Sequence, residues 1–141
     1  MLSFGVVPKA MFFDSKAVVS ATDRATRKVL GRFGASVRLT AKHSIRKRKA
    51  VSDPGKPPSS HAGHLRKLIF FAFDVGRRSV VIGPLRFRTG EAPPLLEYGG
   101  QVTRKRRGKR RRMKYAARPF MGPAFEKEKP KLPAMWAKSA K

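Results

Sequence analysis

Only one stretch of this chain is apolar enough to seed a core. Residues 68–73, LIFFAF, form its most apolar segment. The run is too short for a helix, rich in aromatics and bounded by turn residues, the pattern of a strand. Residues 65–74 therefore read as strand-like, Asp74-Val-Gly-Arg-Arg as a hairpin loop, and Ser79-Val-Val-Ile as the return strand, halted by Gly83 and Pro84. Alternation places Phe71 and Phe73 on one face and Phe70 on the other. Burial of both faces is the expectation, ahead of a platform on which bases would stack.

The flanking segments are read outward from that hairpin. Residues 14–49 predict one long amphipathic helix, with Asp14 or Ser15 as N-cap. At 100° per residue Val18, Thr22, Ala25, Val29, Phe33 and Val37 share an apolar sector, and Arg24, Arg27, Lys28, Arg32, Arg38 and Lys42 oppose it. Gly31 and Gly34 mark a kink or a close approach of another backbone. Residues 45–50, IRKRKA, form a basic cluster at the helix end, where the helix dipole favours cations. Residues 1–13 predict an edge strand or docking arm. They do not read as a signal peptide, lacking a basic lead and broken by Gly5 and Pro8.

Residues 51–64 carry Pro54, Pro57 and Pro58 with Gly55, so an extended, proline-rich arm is expected. After a loop over residues 85–92, residues 93–98 predict a short helical turn ended by Gly99 and Gly100, with prolines at its permissive first positions. Residues 101–103 predict a third strand, completing a sheet core over 65–103. Residues 104–114, RKRRGKRRRMK, hold nine positive residues in eleven, and predict a basic loop or extended hairpin tip. Residues 115–141 form a C-terminal helical segment, with a helix near 123–129 and interruptions at Pro130 and Pro133. The fold class is α+β: a long helix on a small antiparallel sheet in a single domain, with a short C-terminal helix and an extended basic loop.

Charge then bounds the partners. The chain carries 34 Lys and Arg against 8 Asp and Glu, a formal charge of +26. Self-repulsion on this scale opposes compaction unless something anionic neutralises it. Nucleic acid, an acidic protein surface or anionic lipid fit, and the absence of any apolar run of about 20 residues argues against a spanning helix. There is no cysteine, which removes disulfides and thiolate chemistry. The only histidines are His43, His61 and His64, and the carboxylates are scattered. Nothing pairs for acid–base work or metal binding, and no phosphate loop or nucleophile elbow is present. No catalytic residue, cofactor or metal is expected.

Three segments in series resemble one family, the head–tail joining (neck, or tail-completion) proteins of tailed bacteriophages. The first is Pro54-Gly-Lys-Pro-Pro-Ser-Ser-His-Ala-Gly-His-Leu-Arg66, similar to that family's proline–glycine arm. The second is Ser79-Val-Val-Ile-Gly-Pro84 followed by Leu95-Leu-Glu-Tyr-Gly-Gly100. The third is Ala117-Arg-Pro-Phe-Met-Gly-Pro-Ala-Phe125. Ala62 departs from the threonine common in the family, and residues 104–114 fall in a variable part.

The resemblance implies a structural virion protein, assembled in the host cytoplasm. It would form a homo-oligomeric ring of about six or twelve copies between portal and tail, bounded by adjacent neck and tail proteins and surrounding packaged DNA, with no membrane. In that setting Pro54, Gly55, Pro57, Pro58, His61, Gly63, Leu65 and Arg66 form an arm reaching a neighbouring subunit. Gly83, Pro84, Leu96, Glu97, Tyr98, Gly99, Arg118, Pro119, Phe120 and Pro123 pack the motifs together. Arg104, Lys105, Arg106, Arg107, Lys109, Arg110, Arg111, Arg112 and Lys114 face DNA phosphates, without reading sequence, or an acidic neighbour. The rival reading is a free-standing basic nucleic-acid-binding protein of the ribosomal kind. It accounts for the charge but not for the three motifs in series.

Overall fold

The computed structural model describes residues 14–85 and 92–139. The expected N-terminal arm, nearly all of the loop over 85–92 and the last two residues lie outside the described residues. The fold is α+β. In chain order it runs α1 (Ser15–Ser44), α2 (His64–Lys67), β1 (Ile69–Asp74), β2 (Ser79–Pro84), α3 (Ala92–Tyr98), β3 (Gly100–Arg106), β4 (Lys109–Tyr115), α4 (Met121–Glu128), a 3-10 turn (Lys129–Lys131) and α5 (Leu132–Ala137).

Helix α1 starts where its cap predicts: the Ala17 amide donates to Asp14 Oδ1 at 3.0 Å. It stops at Ser44, earlier than expected, because Ile45 is drawn into the core with an extended backbone. The basic residues after it leave the helix and run beside the proline-rich arm, where Arg46 bridges Ser59. The apolar sector is buried only from Val29 onward, through Phe33, Val37 and Ala41. Val18 and Thr22 are exposed and Ala25 half-buried, so the first turns of α1 extend past the core they were expected to cover.

The core lies where α1 meets β1, α2 and α4. Phe33, Val37, Ala41, Ile45, Leu65, Ile69, Phe120 and Ala124 form one buried cluster. The chain turns helically at His64–Lys67, where a strand was expected from residue 65. In a strand Leu65, Lys67 and Ile69 would share a face, sinking an ammonium into the core at a cost of several kcal/mol, on the order of that for a buried ion. The helical turn buries Leu65 and Ile69 and leaves Lys67 exposed.

β1 and β2 pair antiparallel in the expected register, Phe71 opposite Ile82 and Phe73 opposite Val80. The expected third strand forms but does not join them. β3 pairs with β4 in a separate two-stranded ribbon. Helix α1 packs on one face of β1–β2, where Phe71 and Val80 meet Gly34. On the opposite face Phe70 is 44% exposed and Val81 64% exposed. The expectation that both faces of the aromatic strand are buried therefore fails. The Arg38 guanidinium instead reaches round the strand, donating to the Ile69 carbonyl at 2.8 Å and lying 5.7 Å from the Phe70 ring centroid. The Arg27 guanidinium lies 6.0 Å from the Phe73 ring centroid.

The C-terminal helices close the other side. α4 begins at Met121 rather than near residue 123. The helix is interrupted at Pro130 as expected: α4 stops at Glu128 and the chain continues through the 3-10 turn into α5. Pro130 and Pro133 occupy first-turn positions of those two elements, where a missing amide proton costs little. Phe125 meets Phe33 edge-on, with ring centroids 5.7 Å apart. Glu128 is buried, and its carboxylate accepts from the Thr40 hydroxyl at 2.7 Å and from Lys131 Nζ at 2.8 Å. The hydrogen bond from Lys131, then that from Thr40, holds its pKa below the ordinary carboxylate range despite burial.

Both the helix glycines and Glu128 lend themselves to direct tests. A Cβ on Gly34 would sit 2.8 Å from both Phe71 Cδ2 and Val80 Cγ2, side chains rather than the expected backbone, whereas Gly31 has open space. Gly31→Ala should stabilise by about 0.5–1 kcal/mol through helix propensity. Gly34→Ala should destabilise by about 1–3 kcal/mol through overpacking, and urea unfolding of both variants checks the opposite signs. For Glu128 the folded pKa lies below the unfolded value of about 4.3. Its contribution is present above that value and disappears as pH falls through the folded one. Glu128→Gln should therefore cost about 1–2 kcal/mol near neutrality, with the gap to wild type closing in unfolding titrations below about pH 4. A gap that does not change with pH contradicts this account.

Candidate functional site: a motif junction and a basic ribbon

Residues 54–66, 95–100 and 117–125, three of the segments that carry the family resemblance, meet at one junction. α3 ends at Gly99, whose amide donates to the Leu95 carbonyl at 2.9 Å. Its φ of 73° suits glycine, and a Cβ there would lie 3.0 Å from the Ala117 nitrogen and the Tyr115 oxygen. That close approach brings residues 115–118 alongside α3, and the Arg118 amide donates to the Leu96 carbonyl.

α3 thereby aims Glu97 at the start of α4. Glu97 Oε2 accepts from the Phe120 and Met121 amides at 2.9 and 3.0 Å, and Oε1 from the Gly122 amide at 2.7 Å. The α4 N-cap, Phe120, supplies no side-chain hydrogen bond. A carboxylate from 23 residues earlier supplies the cap instead, pairing negative charge with the positive end of the helix dipole. Gly122 leaves the room, since a Cβ there would stand 3.1 Å from Glu97 Oε1.

Arg118 connects the junction to the proline-rich arm. Its Nε donates to the Ser52 carbonyl at 2.8 Å and its Nη1 to the Ala116 carbonyl at 3.3 Å. The Gly55 amide donates to the Ala117 carbonyl at 2.9 Å. Further along, the Ser60 amide donates to the Arg46 carbonyl and Arg48 Nε to Ser59 Oγ, both at 2.9 Å. The arm thus lies against its own body rather than reaching out of it. Pro58, Gly63 and Leu65 are buried inside the chain, Pro57 is half-buried, and Pro54, Gly55, His61 and Arg66 remain exposed. Lys56 hydrogen-bonds Asp53 at 3.0 Å and holds that exposed carboxylate below its usual pKa range.

The packing group divides in a similar way. Phe120 is 1% exposed, and Gly83, Pro84, Leu96, Glu97, Gly99, Arg118 and Pro119 are half-buried. Tyr98 and Pro123 depart from expectation. Tyr98 is 83% exposed and Pro123 is also exposed, because α3 and α4 turn their apolar sides elsewhere.

The basic run takes the second of its two expected forms, the tip of an extended hairpin, and not that of a loop. Val102 lies opposite Met113, Thr103 opposite Arg112, Arg104 opposite Arg111, Lys105 opposite Arg110 and Arg106 opposite Lys109. Arg107 and Gly108, with φ of 49° and 77°, make the two-residue turn whose positive φ values match strand twist. Full desolvation of so many cations is prohibitive, so the ribbon stays outside the core and its described cations are exposed. Lys105, Arg110, Arg112 and Lys114 fall on one face by alternation, and Arg104, Lys109 and Arg111 on the other.

The described carboxylates are all engaged elsewhere. Asp14 caps α1, Asp23 meets Arg78, Asp53 meets Lys56, Asp74 accepts from the Arg77 amide, Glu97 caps α4, Glu126 meets Lys129 and Glu128 clamps α4 to α1. Among the described residues none pairs with the ribbon, and no group of three or more His, Asp or Glu side chains is placed to hold a metal ion. The sequence reading assigns Glu97 to motif packing and finds no partner for Glu128, so it misses the capping role of one and the clamping role of the other. The rarity of carboxylates in so basic a chain was the available signal. Comparison with protein-family models, curated proteins and solved structures returns no match.

The junction yields a direct test. Glu97→Ala removes three charge-assisted bonds to the first turn of α4 and should cost about 2 kcal/mol. Arg118→Ala should loosen the proline-rich arm and raise hydrogen exchange at Gly55. Exchange at Gly55 that stays at the wild-type level would show that the arm is held by other contacts.

Proposed function

We propose that this protein is a non-enzymatic structural subunit of the neck of a tailed bacteriophage, assembling with copies of itself into a ring between portal and tail. One observation carries the reading. Parts of the three motifs, far apart in sequence, are joined into one packed unit: Glu97 and the Arg118 amide hold residues 95–100 to residues 117–125, and the Gly55 amide holds the arm to Ala117.

Two further features support self-assembly. Isolated two-stranded sheets are marginal by themselves and leave unpaired edges, and the described residues form two of them. The open aromatic face of β1–β2 is apolar surface that a neighbouring subunit can cover, and an edge strand can extend a neighbour's sheet. The exposed arm residues Pro54, Gly55, His61 and Arg66 offer a second contact surface. Adjacent neck and tail proteins and packaged DNA complete the set of partners.

The test is the mass of the purified full-length chain, alone and mixed with portal and tail proteins of the same virus, followed by electron microscopy. The expected result is a closed ring that is incorporated into particles. A chain that stays monomeric under all these conditions, never enters a particle and binds RNA or DNA tightly would establish the rival basic nucleic-acid-binding protein instead.

A further inference from the structure

We infer that the β3–β4 ribbon is an arm that enters a groove of double-stranded nucleic acid, with both of its faces contacting phosphates at once. This deepens the DNA-contacting part of the proposed function and rests on it, but it does not require a ring.

The geometry of charge carries the inference. A cationic patch made for a flat acidic surface needs basic residues on one face only. Here Arg104, Lys109 and Arg111 lie on one face, and Lys105, Arg110, Arg112 and Lys114 on the other. A groove flanked by two phosphate ridges presents anions to both faces, and the major groove of a duplex, about 12 Å wide, admits a two-stranded ribbon. Strands of seven residues each reach roughly 23 Å at about 3.3 Å per residue, long enough to follow a groove across several base pairs.

The ribbon's own energetics point the same way. Arg104 faces Arg111 and Lys105 faces Arg110 across the ladder, and like charges directly opposite are destabilising. Among the described residues no carboxylate relieves them. A polyanion on both sides neutralises each cross-strand pair, so binding and strand pairing reinforce each other. Arginine and lysine side chains bound to phosphates fix position on a duplex and read no sequence.

The experiment uses the full-length chain, a labelled mixed-sequence DNA duplex of about 20 base pairs, and the salt dependence of binding, whose logarithmic slope shrinks by about 0.9 for each phosphate no longer neutralised. Two variants each remove three cations from one face: Arg104→Gln/Lys109→Gln/Arg111→Gln, and Lys105→Gln/Arg110→Gln/Arg112→Gln. Each should shrink the slope by about 2–3. The melting temperature should hold or rise slightly, because the substituted side chains are exposed and their mutual repulsion is relieved. A slope that changes for one variant only would overturn groove entry in favour of a flat contact. Single-stranded DNA of equal charge bound as tightly as the duplex would also overturn it. So would poly-glutamate displacing the duplex at equal charge, which would identify an acidic protein surface as the partner. Ring formation is read separately, so a chain that stays monomeric with portal and tail proteins, never enters a particle and gives both slope changes overturns the neck reading and leaves this inference standing.

Discussion

The Glu97 carboxylate is the interaction on which most of this architecture depends. It satisfies three consecutive amides at the start of α4, and α4 in turn delivers Phe120, Ala124 and Glu128 to the face of α1. Because Glu97 sits on α3, the same contact fixes where β3 departs and therefore where the basic ribbon projects. Arg118, two residues before Phe120, extends the tie to the proline-rich arm. A single acidic side chain thus coordinates the C-terminal helices, the arm and the ribbon. Three amides left bare at a partly buried helix start would cost more than any surface ion pair contributes.

Scarcity of acid is the second constraint. With 34 basic and 8 acidic residues, a carboxylate left idle on the surface would do little to offset repulsion. Each described one instead caps a helix or turn, or pairs with a cation. The body is locally balanced in this way, and the uncompensated charge is concentrated on the ribbon, on the helix end and along α1. The charge therefore separates into a part that described carboxylates offset and a part that they do not. The proposed function assigns the second part to DNA.

The aromatic hairpin shows how packing on one side only gives a strand pair two different surfaces. Joining β3 to β1–β2 would have paired one edge without covering the face that carries Phe70 and Val81. The hairpin is covered on the α1 side, against Gly34, and exposed on the other at Phe70 and Val81. Arg38 shields Phe70 in part, as a long cationic side chain can over an aromatic face. In the proposed ring, a neighbouring subunit would cover the exposed face of this sheet.

From sequence alone the α+β class, the capped helix from Ser15, the β1–β2 hairpin with its turn, the short helix before Gly99 and the exposure of the basic run were legible. Each depends on local physics: periodicity of apolar residues, the special backbone of glycine and proline, and the cost of burying charge. The family-like segments were also visible as strings of residues, but not the reason they travel together. Only the tertiary structure decided that Glu97 caps α4, that Arg118 holds the arm to its own body, that Lys67 forces a helical turn before the strand, and that β3 leaves the sheet for β4. Those outcomes depend on contacts between residues tens of positions apart, and on which of two competing faces finds a partner. A pattern along the chain states what a segment prefers. It does not state which neighbour will satisfy it.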